Sequence, residues 1–83
     1  MEKNEIFDVL KNNILDVLED EVEEEDIVIT KTMKELGASS LDVVQIISDT
    51  MRQLKIKIPR EELSEIKDIE ELVEKIMEYK INK

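Results

Sequence analysis

Apolar residues recur at every third or fourth position along most of this chain, and that spacing limits most strongly what it can fold into. In an α-helix such residues share one face, whereas a strand would need apolar residues at every second position. The first segment carries its stripe at Ile6, Phe7, Leu10, Ile14, Val17 and Leu18. We therefore expect an amphipathic helix from Lys3 to Leu18 or Glu19.

A dense run of acidic residues follows at positions 19–26. Like charges at that density oppose a compact helix, so we expect the start of a long surface loop. Ile27 and Ile29 are the residues by which this loop can reach the core. The predicted loop is longer than most connections in compact domains, so it either contains local turns or is kept for function.

One such turn is predicted in the stretch TKTMKELG. Thr32 and Glu35 have the spacing of a reciprocal capping pair, with Met33 and Leu36 facing inward. Gly37, the only glycine in the chain, fits a left-handed stop to this turn.

A second long helix is predicted over SSLDVVQIISDTMRQL, with Ser39 as its N-cap and Asp42 as the capping-box partner. Its expected inner stripe is Leu41, Val44, Ile47, Met51 and Leu54, with Val43 and Ile46 beside it. Pro59 then suits the start of a short helix over Glu61 to Ser64.

Asp68 and Glu71 predict the capping box of a last helix. Its expected inner side is Ile69, Leu72, Val73, Ile76 and Met77. Residues 79–83 are expected to form a frayed tail. The prediction is thus an all-α bundle in one domain over residues 1–83, with three long helices, one short helix and a long loop after the first.

Composition excludes several classes of function. The formal net charge of −10 opposes binding to a nucleic-acid backbone and favours a partner with a basic surface. Because the chain has neither cysteine nor histidine, it lacks a disulfide, a thiolate site and the usual general base. The start MEKNEIFDVLKNN lacks the continuous apolar stretch of a signal peptide, and no apolar run is long enough for membrane insertion. We expect a cytoplasmic monomer.

The residues present do not favour catalysis. The many carboxylates fall on faces expected to be solvated, where nothing raises a pKa by burial for acid or base work. The acidic run lacks the glycine and the alternating ligand spacing of an EF-hand, and one glycine cannot make a phosphate-cradling loop. We expect neither an enzyme nor a metal site.

Ser40 is the remaining candidate for chemistry. A hydroxyl at a helix N-terminus lies where backbone N–H groups and the helix dipole favour negative charge, such as that of a phosphodiester. The local pattern leaves a second interpretation open, in which Ser39 and Ser40 are both simply capping residues.

The stretch LGASSLD resembles the phosphopantetheine attachment motif of acyl carrier proteins, usually LG-x-DSL-(D/E). The likeness extends over nearly the whole chain, through the helix order, the acidic loop and the IPREEL element. It implies that Ser40 Oγ carries a 4'-phosphopantetheine, transferred from coenzyme A by a phosphopantetheinyl transferase with magnesium. The thiol of that arm would hold acyl groups as thioesters for acyltransferase, ketosynthase or related synthase partners, while the domain itself does not catalyse.

The resemblance also implies a partner-binding set, which is Ser39, Leu41, Asp42, Gln45, Asp49 and Arg60. Leu41 and Asp42 match the family motif. Ser39 departs from it, because the family usually has aspartate there. Gln45 and Arg60 stand where acidic residues are common. From Gln45 and Arg52 on the outer face of the second helix, we expect fatty-acid synthase enzymes to accept this carrier poorly.

The stretch MRQLKIKIPREELSEIKDIEELVEKI is similar to discrete carriers of polyketide clusters, including those that serve β-branching cassettes. A fatty-acid carrier and a carrier of another specialised pathway stay open as alternatives. A further alternative is an acidic helical interaction module without a cofactor. In the family a fatty chain can insert between the helices, so Val44, Ile47, Ile58 and Leu63 are either core alone or core that doubles as a pocket.

Overall fold

The computed structural model describes residues 2–81, and these form four α-helices with no β-strand among them. The helices are α1 (Lys3–Leu18), α2 (Ser40–Leu54), α3 (Arg60–Leu63) and α4 (Ile69–Ile81). Two 3₁₀ turns, Glu19–Glu21 and Glu24–Asp26, lie between α1 and α2. The predicted all-α architecture, with three long helices and one short one, is confirmed.

Helix α1 has the predicted bounds and organises the core. Its buried apolar residues are Ile6, Leu10, Ile14 and Leu18, which follow one another at intervals of four. This spacing puts them on one face, and α1 packs against both α2 and α4. Phe7 and Val17, at the edges of the predicted stripe, are half-buried against the core.

The segment between α1 and α2 is packed onto the bundle along its length. Its buried residues are Val22, Ile27, Met33, Leu36 and Ala38. Ile29 is half-buried, and its carbonyl accepts a hydrogen bond from the N–H of Glu70 (2.8 Å), while the Lys31 carbonyl accepts one from Ile69 (2.9 Å). The first N–H groups of a helix lack intrahelical acceptors. The carbonyl groups of this segment serve as the acceptors for the first N–H groups of α4.

Helix α2 turns a different side to the core from the one that its apolar spacing predicted. Of the expected stripe only Leu54 is buried, and Ile47 and Met51 are half-buried. Leu41 and Val44 are 82% and 59% exposed. The predicted inner stripe is therefore wrong at the start of the helix.

The cause of this difference is a polar pair in the core. The buried residues of α2 are Ile46, Thr50 and Leu54, again at intervals of four. Thr50 Oγ1 accepts a hydrogen bond from Asn13 Nδ2 (2.8 Å) and donates one to the carbonyl of Ile46 (2.8 Å). A buried polar group is tolerated when it has hydrogen-bond partners. The inward face of α2 is therefore centred on Thr50, a polar residue that a search for apolar residues leaves out.

The third helix begins one residue earlier than predicted. Arg60 is its first residue, directly after Pro59, whose carbonyl accepts hydrogen bonds from the N–H groups of Glu62 and Leu63. Proline suits this position because it has no N–H to leave unpaired.

Helix α4 confirms the cap at Asp68, whose Oδ1 accepts a hydrogen bond from the Glu71 N–H (2.9 Å). The reciprocal bond differs from the prediction, because Glu71 Oε1 accepts from the N–H of Lys67 (3.1 Å). On the predicted inner side, Ile69, Leu72, Val73 and Ile76 are buried and Met77 is half-buried. The helix continues to Ile81, so the expected tail begins with helical residues, and 82–83 lie outside the described residues.

Candidate functional site

Ser40 is the first residue of α2 and its side chain is exposed. The cap of the helix is made by its neighbour: the N–H of Asp42 donates to Ser39 Oγ (3.2 Å), and the N–H of Ser39 donates to Asp42 Oδ2 (3.0 Å). Within residues 2–81 nothing hydrogen bonds to Ser40 Oγ. Ser39 therefore has the capping role, and the hydroxyl of Ser40 is left accessible.

The turn before Ser40 ends at Gly37, as predicted. The Ala38 N–H donates to the Met33 carbonyl (3.1 Å) and the Gly37 N–H to the Lys34 carbonyl (3.0 Å), a Schellman pair of bonds. Gly37 has a φ of +93°, which side-chain-bearing residues rarely adopt. A Cβ at this glycine would meet nothing within 4 Å, so the requirement is conformational and not steric.

The capping pair at the start of this turn is also present. The Glu35 N–H donates to Thr32 Oγ1 (3.0 Å), and the Thr32 N–H donates to Glu35 Oε1 (2.9 Å). Met33 and Leu36 are buried as predicted. The chain thus reaches Ser40 through a turn that is fixed at both ends.

The start of α2 favours an anion at Ser40. The N–H groups of Asp42 and Val43 bond to Ser39, while those of Ser40 and Leu41 precede the first intrahelical bond. A negative charge in this position, together with the helix dipole, is stabilised by about 0.3–1 kcal/mol when exposed. A phosphodiester on the serine oxygen therefore fits the local electrostatics.

Two exposed apolar residues follow this serine in α2. Leu41 follows it directly and Val44 lies one turn further along the same helix. They are two of the three large apolar side chains exposed in the described part of the chain. An exposed apolar surface beside an accessible hydroxyl is typical of a place where a partner binds.

A groove of about 420 Å³ lies between α2 and α3. Its apolar lining is Val43, Val44, Ile47, Met51, Ile58 and Leu63. Ser48, Arg60 and Ser64 contribute its polar part. All four residues named as a possible pocket line this one groove, although Ile58 is also buried core.

The groove starts close to Ser40. Val43 and Val44 follow the serine by three and four residues, which is about 4.5–6 Å along the helix axis. Met51 follows by eleven, or about 16 Å. Sequence reasoning did not assign Val43, Met51, Ser48 or Ser64 to the groove. The available signal was that α2 has more apolar residues than one core-facing stripe needs, which we call its apolar surplus.

The remaining predicted partner residues lie along α2 and at the groove. Gln45 is exposed, and its Nε2 donates to Asp49 Oδ1 (2.9 Å), which is also 3.4 Å from the Arg52 guanidinium. The one carboxylate in the middle of α2 is thus already paired within its own helix. Arg60 is exposed at the groove.

Two other hollows are lined mainly by charged side chains. One of about 580 Å³ is lined by Lys11, Glu23, Glu24, Glu25 and Ile27. Across residues 2–81, no group of histidine, cysteine and acidic side chains is arranged to hold a metal ion. Nor does any helix there have the length and hydropathy to cross a membrane.

Comparison with known proteins agrees with this site. A family model described as the phosphopantetheine attachment site matches residues 8–76. The polyketide biosynthesis acyl-carrier-protein AcpK of Bacillus subtilis is 44% identical over 78 residues, covering 89% of each chain. An acyl carrier protein of Clostridium perfringens is 37% identical over 75 residues, covering 89% of this chain and 96% of that one.

The family match spans most of α1, the loop, the serine and most of α4. Proteins of this family carry acyl groups on a covalently attached phosphopantetheine and are not themselves catalysts. They are modified by a phosphopantetheinyl transferase and interact with synthase enzymes. The exposed serine, the turn that presents it and the matched sequence together lead to one conclusion: the chain belongs to the acyl carrier proteins.

Proposed function

We propose that Ser40 Oγ is the attachment point of the phosphopantetheine. The observation that carries this proposal is that two adjacent serines have different roles. Ser39 caps α2, whereas Ser40 is exposed and its hydroxyl has no hydrogen-bond partner among residues 2–81. The chain has no cysteine, so the arm would supply the only thiol for thioester chemistry. The residues of this chain present the arm and bind partners.

Intact-mass measurement after incubation with coenzyme A, magnesium and a broad-specificity phosphopantetheinyl transferase tests this assignment. Wild type should gain one phosphopantetheine and Ser40→Ala none. Ser39→Ala is the matched control, because it removes the adjacent hydroxyl. It should still be modified while losing about 0.5–2 kcal/mol of stability with its cap.

Addition that persists in Ser40→Ala would contradict the site. No addition to wild type, under conditions that convert a reference carrier, would favour the acidic interaction module without a cofactor. The two results separate a wrong residue from a wrong function.

We propose that part of the acyl chain binds in the groove between α2 and α3. Its lining is mainly apolar, and it begins within one turn of Ser40. Burial of apolar surface there contributes about 25 cal/mol per Å². Burial of the acyl chain in this groove would therefore stabilise the loaded protein more as the acyl chain becomes longer.

We propose a polyketide or other specialised pathway, with a fatty-acid role as the alternative. The pairing of Asp49 with Gln45 and Arg52 supports the first, because it leaves α2 with little free negative charge for a basic partner surface. The name of the B. subtilis relative points the same way, while that of the C. perfringens relative fits either pathway. Ser39, Leu41, Asp42 and Arg60 complete the proposed partner surface, on a monomer in the cytoplasm.

The pathway assignment predicts poor elongation by a fatty-acid ketosynthase. Gln45→Glu should improve acceptance, since it restores an acidic group to α2. Asn12→Asp, which adds the same charge at an exposed position of α1, should not. Efficient use of wild type by that ketosynthase would contradict the specialised pathway and leave the carrier function intact.

A further inference from the structure

Helix α3 forms one wall of the groove, and Leu63 is its one side chain that packs against the hydrophobic core. It is four residues long, Arg60–Leu63, and a helix this short is unstable alone in water. The extensive helix packing of the bundle is that of α1 with α2 and with α4. The position of α3 relative to α2 therefore depends on specific side-chain contacts of α3.

One such contact lies on the side of α3 away from the groove. Arg60 and Leu63 line the groove, whereas Glu62 points to α4. There the Glu62 carboxylate accepts hydrogen bonds from Lys75 Nζ (3.2 Å) and from the hydroxyl of Tyr79. We call Glu62, Lys75 and Tyr79 the clasp.

The charge states of the clasp suit these bonds at neutral pH. The hydrogen bond from Tyr79, followed by that from Lys75, lowers the pKa of Glu62 below its ordinary value. The same bond to Glu62 raises the pKa of Tyr79 to about 12. Glu62 is thus a carboxylate acceptor and Tyr79 a phenol donor, and hydrogen bonds to a charged group are the stronger kind.

We propose that the clasp fixes the position of α3 and thereby sets the width of the groove between α2 and α3. Glu62 and Tyr79 are then positioning residues for the acyl chain, which rests on the proposed function of that groove. Because α3 is already held in position, less conformational entropy is lost when an acyl chain enters the groove. Loosening the clasp should make the groove wider on average and less favourable for a chain that fits it.

The first test uses the unmodified protein. Tyr79→Phe removes only the hydroxyl, and Glu62→Ala removes the acceptor. Glu61→Ala is the matched control, since Glu61 has the same charge on the same helix and is exposed. Hydrogen exchange is read at the N–H groups of Leu63 and Ser64, which bond to the carbonyls of Pro59 and Arg60.

Tyr79→Phe, which loses one hydrogen bond, should raise exchange at these amides roughly 2- to 10-fold, and Glu62→Ala, which loses two, should raise it at least as much. Exchange in the core of α1 and in Glu61→Ala should stay at the wild-type rate. Equal acceleration in α1 would mean general destabilisation and would overturn the proposal, as would no change in α3.

Groove width is read from two spin labels. Because the chain has no cysteine, Ser48→Cys and Ser64→Cys introduce labels on α2 and just after α3, at residues that line the groove. The distance distribution between them should broaden in Tyr79→Phe and Glu62→Ala, and not in Glu61→Ala. An unchanged distribution would show that the clasp does not control the groove.

The last measurement uses protein loaded with an octanoyl or an acetyl group. The rise in Tm from acetyl to octanoyl should be smaller in Tyr79→Phe than in wild type. An equal rise in both would overturn the role of the clasp in chain binding. If wild type cannot be loaded at Ser40, the proposed function fails instead, and the label distances and exchange rates still decide whether the clasp sets the groove.

Discussion

Helices α1 and α2 are nearly equal in length, with 16 and 15 residues, and both are amphipathic, yet they place their apolar side chains differently. In α1 the predicted stripe goes into the core, and Ile6, Leu10 and Ile14 are fully buried. In α2 two of the three apolar residues nearest its start, Leu41 and Val44, are exposed to water, while Val43 between them is half-buried.

The difference separates two uses of apolar surface. α1 lies between two partner helices, so nearly every large apolar side chain on it has a neighbour. α2 meets α1 through a face that contains the Asn13–Thr50 pair, which leaves its apolar surplus to the groove and to the surface around Ser40. Exposed apolar surface lowers solubility, and on a folded protein it is typical of binding sites. Mutations in the two helices should therefore have different consequences.

The largest expected effect is Leu10→Ala in α1. Leu10 is fully buried, and its truncation leaves a cavity, so the free energy of unfolding should fall by about 2–5 kcal/mol. Urea denaturation followed by circular dichroism measures this. A loss below about 1 kcal/mol would mean that α1 is not the organising helix of the core.

Thr50→Val comes next and tests the polar pair between the helices. Valine preserves the shape but leaves Asn13 Nδ2 with only the longer bond to Gln53 Oε1 (3.3 Å), so a loss of about 1–3 kcal/mol is expected. The double variant with Asn13→Leu should recover part of that loss, because both partners are then apolar. A double variant as unstable as the sum of the two single ones would rule out coupling across this interface.

Gly37→Ala should cost about 1–2 kcal/mol, because alanine is strained at a φ of +93°. Gly37→Asn is the control, since asparagine tolerates positive φ better than alanine and should cost less. Thermal unfolding of both variants measures the difference. Equal stability of wild type and Gly37→Ala would mean that the turn before Ser40 can relax.

Leu41→Ala should have the smallest effect on stability, within about 0.5 kcal/mol, because its side chain is already 82% exposed. Its effect should appear in kcat/KM for the phosphopantetheinyl transferase, reduced about fivefold or more if Leu41 is an interface anchor. Val28→Ala, at an exposed apolar residue of the loop, is the control and should change neither quantity. A stability loss as large as that of Leu10→Ala would erase the contrast between the two helices.

Local features of the chain were predictable because the interacting groups lie within a few residues of each other. The capping pairs Thr32–Glu35 and Ser39–Asp42, and the left-handed stop at Gly37, are all present as predicted. The same local chemistry put Ser40 at the start of a helix. Bounds shifted by one residue at α3, where the proline alone does not fix the first helical turn.

The sequence by itself therefore determined the helices, the caps at Ser39 and Asp68 and the position of Ser40, since each depends on backbone conformation and on partners a few residues away. Only the tertiary structure decided which side of α2 is buried, how α4 is capped by the Ile29 and Lys31 carbonyls, and that Glu62 meets Tyr79. Those contacts join residues 17 to 41 positions apart, as in Asn13 with Thr50 at a separation of 37 and Glu62 with Tyr79 at 17. Side chains so distant come together only when the helices pack, and packing depends on the shape of the whole core.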